Sequence, residues 1–261
     1  MCLILFAYRT HPDYHLILAA NRDEFFARPT EPLAFWPEEP AILAGRDLQA
    51  GGTWFGLTPA GRFAAVTNFR DPLGISADAL SRGRIPVDYL KSGLTPEDFC
   101  RSGRQDWHLY NGFNLLAGDM TSLVWSSNRA ETLQVLEPGL YGLSNRLLDT
   151  PWPKVQRGKD MLRHLLAASG AIEPEDLFSL LRDTWQPPDQ DLPDTGVGIE
   201  WERLLAPLFI SGRDYGTRSS LVLIIRRNGK AVCSERTFAH EEGHIRETGR
   251  KEVIVDFLQG Q

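Results

Sequence analysis

Two runs near the start of the chain are apolar at almost every position. Residues 2–8 (CLILFAY) and 14–20 (YHLILAA) flank a turn sequence, T-H-P-D, at 10–13. A strand with one wet face alternates apolar and polar residues, whereas a strand that is apolar throughout is covered on both faces. We therefore predict a hairpin in a sheet that is sandwiched between two other layers.

The patterning of the remaining chain predicts strands, then helices, then strands again. A second hairpin is expected over 53–57 and 62–67, and a long helix is expected to start near Thr150, the N-cap, and Pro151. The other predicted segments are helices over 77–91, 95–103 and 173–183 and strands over 113–117, 122–126, 132–136, 219–226, 230–238 and 251–258. This order favours an α+β sandwich over a doubly wound parallel sheet.

The composition is that of an ordinary globular chain and argues against several function classes. The chain has 261 residues, 42% hydrophobic and 24% charged, and one domain over 1–261 is the expectation. A formal net charge of −6 argues against nucleic acid or an anionic membrane as the main partner. No run approaches the roughly 20 apolar residues of a membrane span, and residues 2–8 lack the features of a signal peptide. Three widely spaced cysteines indicate reduced thiols, so we expect a cytoplasmic protein.

Cys2 directly follows the initiator methionine. A small second residue permits removal of Met1, which would leave Cys2 with both a thiol and a free α-amine. The reference pKa of the amine is about 7.7–8.0, close to about 8.5 for the thiol, so the amine can accept the thiol proton and return it to a leaving amine. The alternative is that Cys2 is a small buried hydrophobic residue at the start of a strand.

The first hairpin brings a polar tetrapeptide to the same end of the sheet as Cys2. If the chain turns at 11–12, the numbers of paired residues sum to 23, and residue 2 lies opposite Asn21 at about 4.5–5.5 Å. The segment 21–24 (NRDE) would then emerge beside Cys2. The alternative is a solvated polar strand end. The pairing makes Cys2 and 21–24 the candidate site.

The tetrapeptide is part of a longer resemblance. The segments MCLILFAY, AANRDEFFARP, GGTWFGLTPAGRFAAVTNFRDP, YNGFNLL, YGLSNRLLDTPWPK, LPDTGVGIEWERLLAPLFI and YGTRSSLVLIIRRNGKAVCSERTF together resemble the NRDE family. This is the family of the transport and Golgi organisation protein 2, named for Asn-Arg-Asp-Glu, and the match covers nearly the whole chain in order. The resemblance implies the N-terminal-nucleophile hydrolase superfold, a four-layer αββα sandwich of two antiparallel sheets.

The choloylglycine hydrolases and penicillin acylases of this superfold are more distantly similar, and they imply roles for individual residues. In them a strand ends in Asn-x-Asp, matched here by Asn21 and Asp23, and the aspartate holds the terminal amine and thiol. Two later asparagines that help to form the oxyanion hole are matched by Asn68 and Asn145. The resemblance thus implies the catalytic set Cys2, Asp23, Asn68 and Asn145.

Arginines and the other polar residues of the tetrapeptide are the implied ligand-binding groups. The hydrolases have an arginine one position before Asn-x-Asp, where this chain has Ala20, with Arg22 inside the motif instead. A further active-site arginine on a late strand is matched by Arg236, or its role is taken by Arg218. The ligand-binding candidates are therefore Asn21, Arg22, Glu24, Arg218 and Arg236.

Two functions fit this site. The first is a cysteine-nucleophile amidase that cleaves a non-peptide C–N bond of a small molecule. The second, implied by the family's link to haem trafficking and lipid metabolism, is a non-catalytic carrier for haem or for acyl-CoA or lipid ligands. Arginines beside an apolar cavity would bind haem propionates or CoA phosphates, so the expected partner is an apolar small molecule with an anionic group. No cofactor is expected, and haem would be the ligand only in the second interpretation, held non-covalently because C-x-x-C-H does not occur.

Two other motifs carry no expected chemistry. Residues 240–244 fit H-E-x-x-H, a zinc pattern on helices, but they follow a predicted strand and contain a glycine. We expect a charged loop there and no metal site. The glycines of 50–53 (AGGT) lack the lysine of a phosphate loop, and we expect them to let the backbone pass close to another segment, such as the pocket of Cys2.

Overall fold

Two antiparallel sheets packed face to face form the centre of the structure. The computed structural model describes residues 2–168 and 170–257. The strands are β1 (Cys2–Tyr8), β2 (Tyr14–Phe25), β3 (Thr30–Trp36), β4 (Glu39–Asp47), β5 (Phe55–Leu57), β6 (Phe63–Asn68), β7 (Phe113–Gly118), β8 (Leu123–Ser127), β9 (Gln134–Val135), β10 (Gly139–Leu143), β11 (Tyr215–Arg226), β12 (Lys230–Glu241) and β13 (His244–Asp256). The helices are α1 (Arg84–Lys91), α2 (Pro96–Gly103), α3 (Pro153–Ala167), α4 (Pro174–Leu181) and α5 (Ile199–Leu205), with 3-10 turns at Pro72–Gly74, Trp107–Leu109 and Asp189–Asp191.

The two sheets are formed by different parts of the chain: one sheet combines strands from both chain ends, and the other is formed by the segment between them. The first sheet has the order β10-β1-β2-β11-β12-β13, so the opening hairpin pairs with the closing strands. The second sheet has the order β3-β4-β5-β6-β7-β8-β9, which is a simple meander. Neighbouring strands are antiparallel in both sheets.

Both faces of each sheet are covered, which explains why β1 and β2 are apolar throughout. On β1, Ile4 and Phe6 belong to the core between the two sheets, whereas Leu3 and Leu5 pack on the opposite side beneath α3 and α4. The outer face of the second sheet packs against α1 and α2 in a third apolar cluster. The layers therefore run helix, sheet, sheet, helix. The predicted α+β sandwich with αββα layers is confirmed.

The first hairpin forms as predicted, but its register is shifted by one residue. Cys2 lies opposite Arg22 rather than Asn21, and paired numbers sum to 24. The reason is a longer loop: Arg9 takes a left-handed backbone conformation with φ of 53°, and its N–H donates to the carbonyl of His15 at 2.9 Å.

Two predicted helices begin later than the sequence pattern indicates. The helix predicted over 77–91 covers only Arg84–Lys91; the segment before it is held by other parts of the chain, with the N–H of Leu80 donating to the carbonyl of Leu109 and the N–H of Thr53 donating to the carbonyl of Gly83, both at 3.0 Å. The helix predicted from Thr150 begins at Pro153 instead, after an extended Trp152 N-cap. A residue before proline is driven out of the helical region, which explains the shift.

The C-terminal strands are longer than predicted, and three strands are additional. Residues 240–244 span the end of β12, the turn at 242–243 and the first residue of β13; Glu242 and Gly243 both have positive φ, so the H-E-x-x-H pattern does not lie on a helix. The strands β3, β4 and β10 were not predicted, and neither was α5. The strand predicted over 251–258 is present to Asp256, and its last residue, Leu258, lies outside the described residues. Within 2–168 and 170–257, none of the helices has the length and apolar character to cross a membrane.

Candidate active site

Cys2 lies at the inner edge of a cavity between the two sheets. The side-chain period of a strand places Cys2 on the same face as Ile4 and Phe6, but one step beyond the packed core. Cys2 lines the cavity, which has a volume of about 470 Å³, and is itself 6% exposed. Burial raises the pKa of the Cys2 thiol, and the positive charge of Arg22 works in the opposite direction. A thiol in this position needs a base before it can attack.

The tetrapeptide 21–24 ends the buried part of β2 and divides between two faces. Arg22 and Glu24 line the cavity with Cys2. The Asn21 amide instead donates to the carbonyls of Leu181 and Leu208, both at 2.9 Å, and its oxygen accepts from Ser220 at 2.6 Å. Asn21 therefore ties the strand to the segment after α4 and does not line the cavity.

Asp23 is buried between β2 and the helical layer and also borders the cavity. One carboxylate oxygen accepts from the Thr217 hydroxyl at 2.8 Å, and its backbone carbonyl accepts from the Tyr215 hydroxyl at 2.9 Å. Burial raises the pKa of Asp23, and the cation of Lys154 works against this rise. Burial lowers the pKa of Lys154 to about 8, while Asp23 favours its charged form. Each of these two buried groups thus favours the charged form of the other next to the candidate nucleophile, while the Lys154 ammonium donates to the carbonyl of Leu205 at 3.0 Å.

Arg22 belongs to a cluster of charges on the cavity wall. Its guanidinium lies 3.9 Å from Glu24 and 3.8 Å from Asp47, beyond hydrogen-bond distance. Asp47 is bound by Arg28 at 2.7 and 2.8 Å. Glu24 accepts the N–H of Phe25 at 3.0 Å. The carboxylates therefore have other partners, and Arg22 lies near them without a hydrogen bond to either.

The two predicted oxyanion residues lie together, but in different settings. Asn68 is the last residue of β6 and lines the cavity. Asn145 is fully buried and does not line the cavity; its amide donates to the backbone carbonyl of Asn68 at 2.9 Å. The neighbouring Ser144 hydroxyl donates to the carbonyl of Cys2 at 3.3 Å. The 144–145 turn therefore holds Cys2 and Asn68 at the same place in the fold.

The two late-strand arginines have different positions. The pairing of β11 with β2 skips one residue at Arg218, and this bulge directs its guanidinium to the carbonyls of Phe25, Phe26 and Arg28 at 2.8–3.0 Å. Arg218 lines the cavity, whereas Arg236 does not. Arg236 lies on the helical side, in an ion pair with Glu175 and over the ring of Phe178. Arg236 is therefore remote from Cys2, and Arg218 acts first as a clamp on the turn after β2.

Two cavity residues were missed by sequence reasoning. Arg82 lines the cavity from the segment before α1, and its guanidinium donates to the carbonyl of Gly112 at 3.0 Å. Burial lowers its pKa, while the nearby Cys2 and Glu24 favour the charged form. Glu235 on β12 also lines the cavity and is 3% exposed, and burial raises its pKa to about 7. Glu235 follows the inward-facing Cys233 by two positions, so strand alternation could have identified it.

The charges around the cavity are balanced. Among the described lining residues there are five arginines and five acidic residues, and none is a histidine. No group of three or more His, Cys, Asp or Glu side chains within the described ranges is arranged to hold a metal ion. The walls are therefore suited to a polar organic ligand, with Cys2 as their nucleophilic side chain.

Comparison with known proteins identifies the family. The model of the family described as Transport and Golgi organisation 2 matches residues 1–240. The chain belongs to the Transport and Golgi organisation 2 family. A mouse homologue of this family is 33% identical over 98% of this chain and 99% of its own length, and a human homologue is 32% identical over 93% and 95%. The fruit fly protein is 29% identical over the full length of both chains.

Solved structures outside the family share the fold. The C2A mutant of the conjugated bile acid hydrolase from Clostridium perfringens superposes with a TM-score of 0.54 over 99% of this chain and 93% of that chain. The Caenorhabditis elegans orthologue of N-acylethanolamine-hydrolyzing acid amidase superposes with a TM-score of 0.52 over 86% and 92%. Both are 10% identical in sequence, so the likeness concerns the fold alone. The family member described here has the N-terminal-nucleophile hydrolase fold.

Proposed function

We propose that the chain is an amidase that uses Cys2, exposed as the first residue after loss of Met1, to cleave a non-peptide C–N bond of a small molecule. The observation that carries this proposal is the place of Cys2 on the wall of a cavity of about 470 Å³, on the cavity-facing side of its strand. Cavities of this size hold small organic ligands. One of the two hydrolases that share the fold is an amidase by name, which supports the same reaction class.

The chemistry needs a base and a proton shuttle, and the α-amine of Cys2 supplies both. The amine takes the thiol proton, the sulfur bonds to the amide carbon, and the C–N bond breaks as the proton passes to the leaving amine. Water then cleaves the thioester, which releases the acid and restores the thiol. Because burial raises the pKa of Cys2, little thiolate exists without this base.

The surrounding residues have supporting roles in this proposal. Asp23, held by Thr217, orients the ammonium group, and Lys154 behind it favours the ionised carboxylate. Asn68 stabilises the oxyanion, a contribution that is typically about 2.7–4 kcal/mol for one donor. Asn145 acts through Asn68, because its amide is hydrogen-bonded to the Asn68 carbonyl.

Substitution of the nucleophile tests the proposal. We expect Cys2→Ala to lower hydrolysis of a panel of N-acyl amides by at least about a thousandfold, as removal of a catalytic nucleophile does. Mass spectrometry of the wild type should show loss of Met1 and, with a slow substrate, an acyl group on Cys2. The matched control is Cys100→Ala, which removes a buried cysteine from the outer core of the second sheet. Turnover that persists in Cys2→Ala, or in protein that retains Met1, would contradict the mechanism.

The carrier function is the second candidate, and the arginines of the cavity wall favour it. Arg22, Arg28 and Arg82 could meet the acidic groups of haem or of an acyl-CoA. A histidine axial ligand is not offered by the described cavity residues, so Cys2 would have to ligate the iron. A haem titration followed at the Soret band, with wild type and Cys2→Ala, separates this candidate from the amidase. A Soret spectrum unchanged from free haem would contradict the haem form of the carrier.

We also propose a cytoplasmic location. The three cysteines, Cys2, Cys100 and Cys233, are free and buried. Free thiols persist in a reducing compartment, which supports this proposal.

A further inference from the structure

Two arginines reach the cavity near Cys2 from opposite sides. Arg22 comes from the first sheet, directly across the strand pair from Cys2. Arg82 comes from the segment that precedes α1, on the side of the second sheet. Arg22 and Arg82 line the same cavity as Cys2, and both lie close enough to the thiol for the charges to act on one another. A group bound between them would therefore lie near a carbon attacked by Cys2.

These two arginines differ from the others in the cavity wall because several of their guanidinium N–H groups have no hydrogen-bond acceptor among the described residues. Arg28 is bound to Asp47, and Arg218 is bound to three backbone carbonyls. The two ion contacts of Arg22 are longer than hydrogen bonds, and Arg82 donates to one protein acceptor, the carbonyl of Gly112. Among the described residues, the remaining N–H groups of Arg22 and Arg82 thus have no acceptor within hydrogen-bond distance, which leaves them available to a ligand.

The backbone directly after Arg82 is held by a close crossing of two segments. Gly52 and Gly83 cross so closely that a Cβ atom at Gly52 would lie 2.3 Å from the carbonyl oxygen of Gly83. The same carbonyl accepts the N–H of Thr53 at 3.0 Å. This crossing confirms the expected close backbone passage at 50–53. It also fixes Arg82 before any ligand arrives, so little ordering is required on binding.

The local charge favours a ligand with one negative charge. Around Cys2, the cavity is lined by the three guanidinium groups of Arg22, Arg28 and Arg82 and by the carboxylates of Glu24 and Asp47, while the charge of the third acidic neighbour, Asp23, is compensated from the helical side by Lys154; one positive charge is therefore in excess. A carboxylate neutralises this excess and matches the planar fork of a guanidinium. A phosphate dianion would leave one negative charge uncompensated beside Glu24.

We propose that Arg22 and Arg82 together bind a single carboxylate of the substrate, so that the preferred substrates are amides with one carboxylate close to the scissile bond. This inference rests on the proposed function, because it takes Cys2 as the reacting group. The inference assigns two of the cavity arginines to the carboxylate, and one of them, Arg82, lies outside the motifs of the N-terminal hairpin.

Alkylation of Cys2 tests the carboxylate site without any substrate turnover. Iodoacetate and iodoacetamide form the same S–C bond with loss of iodide and of the thiol proton, but only iodoacetate carries a carboxylate. The rate ratio of the two reagents at Cys2, measured by peptide mass mapping and divided by the ratio for glutathione, reports the carboxylate preference. We expect a ratio of about ten or more, the size of one charge-assisted hydrogen-bonded pair.

Three variants separate the site from general charge effects. Arg82→Gln and Arg22→Gln should bring the ratio close to one, and Arg82→Lys should keep part of it. Arg46→Gln is the matched control, because Arg46 lines the same cavity but is paired with Glu38 and stacked on Trp36. Acetate should protect Cys2 from iodoacetate better than inorganic phosphate does.

Each result decides the inference separately from the amidase proposal. A ratio near one in the wild type, an unchanged ratio in a folded Arg82→Gln or Arg82→Lys, or stronger protection by phosphate would overturn it. A strong carboxylate preference in a protein that hydrolyses none of the amides would refute the amidase and leave the carboxylate site intact. Hydrolysis of the amides with no carboxylate preference would support the amidase and refute the carboxylate site.

Discussion

Replacement of Glu235 by Gln is expected to make the protein more stable at neutral and alkaline pH. Glu235 is buried at the cavity wall, where one carboxylate oxygen accepts the N–H of Leu33 at 2.6 Å across the two sheets. Gln keeps the size of the side chain and a carbonyl oxygen for this bond. It removes the charge that must otherwise be buried, and that charge is the costly part of the wild-type contact.

The magnitude follows from the pKa of Glu235. Burial raises this pKa from 4.5 to about 7, against smaller opposing effects of the Leu33 N–H, the Ser219 side chain and Arg22. Between these two pH values the folded protein holds a proton that the unfolded chain has lost. The resulting stability is complete below pH 4.5 and is lost as the pH rises through about 7. At about 1.4 kcal/mol for each pH unit, the loss is at most about 3 kcal/mol.

Urea unfolding at two pH values checks this reasoning. At about pH 8 the free energy of unfolding of Glu235→Gln should exceed that of wild type by up to about 3 kcal/mol, and near pH 4.5 the two should be nearly equal. Glu31→Gln is the control, because Glu31 borders the same cavity but is exposed. A gain of equal size at both pH values, or no gain at the higher one, would refute the argument from burial.

Two further substitutions test the groups behind the nucleophile. Asn145→Ala should lower the free energy of unfolding by about 1–3 kcal/mol, since it removes the donor to the carbonyl of Asn68; an unchanged urea midpoint would contradict this. Lys154→Met should cost up to about 3–5 kcal/mol, because it removes the cation with the largest favourable effect on the buried charge of Asp23, and the double variant with Asp23→Asn should recover most of the loss. Equal losses in the single and double variants would show that the pair is not coupled.

The parts of the site that depend on short-range patterns could be predicted from the sequence. The apolar runs of β1 and β2 identified a sheet with two covered faces, and the short loop between them brought 21–24 beside Cys2. Both inferences need only the strand period and one turn. The exact partner of Cys2 could not be predicted, since a positive φ at Arg9 leaves no clear mark in the sequence.

Residues that reach the site from distant segments had weaker signals. Arg82 lies where the pattern predicts helix, and the crossing of Gly52 and Gly83 that displaces this helix is a tertiary contact. Lys154 lies at the start of α3, and only the folded structure shows that it is buried and that its charge acts on Asp23. Local propensity describes such segments without their partners, so it cannot assign them to the site.

The one-residue shift in the first hairpin decides what the tetrapeptide does. Side chains of directly paired residues lie on the same face of a sheet, so Cys2 shares its face with Arg22 and Glu24. With paired numbers summing to 23, Asn21 and Asp23 would share the face of Cys2 instead, and the charges of Arg22 and Glu24 would be placed beneath the helices. In the observed register Asn21 is used for the scaffold, and Asp23 is supported from the helical side by Lys154. The extra loop residue at Arg9 therefore decides that Asn21 and Asp23 lie on the face that packs on the scaffold and that Arg22 and Glu24 lie on the face of Cys2. Arg9 itself is more than 20 Å from Cys2 along the strand, at about 3.4 Å per residue.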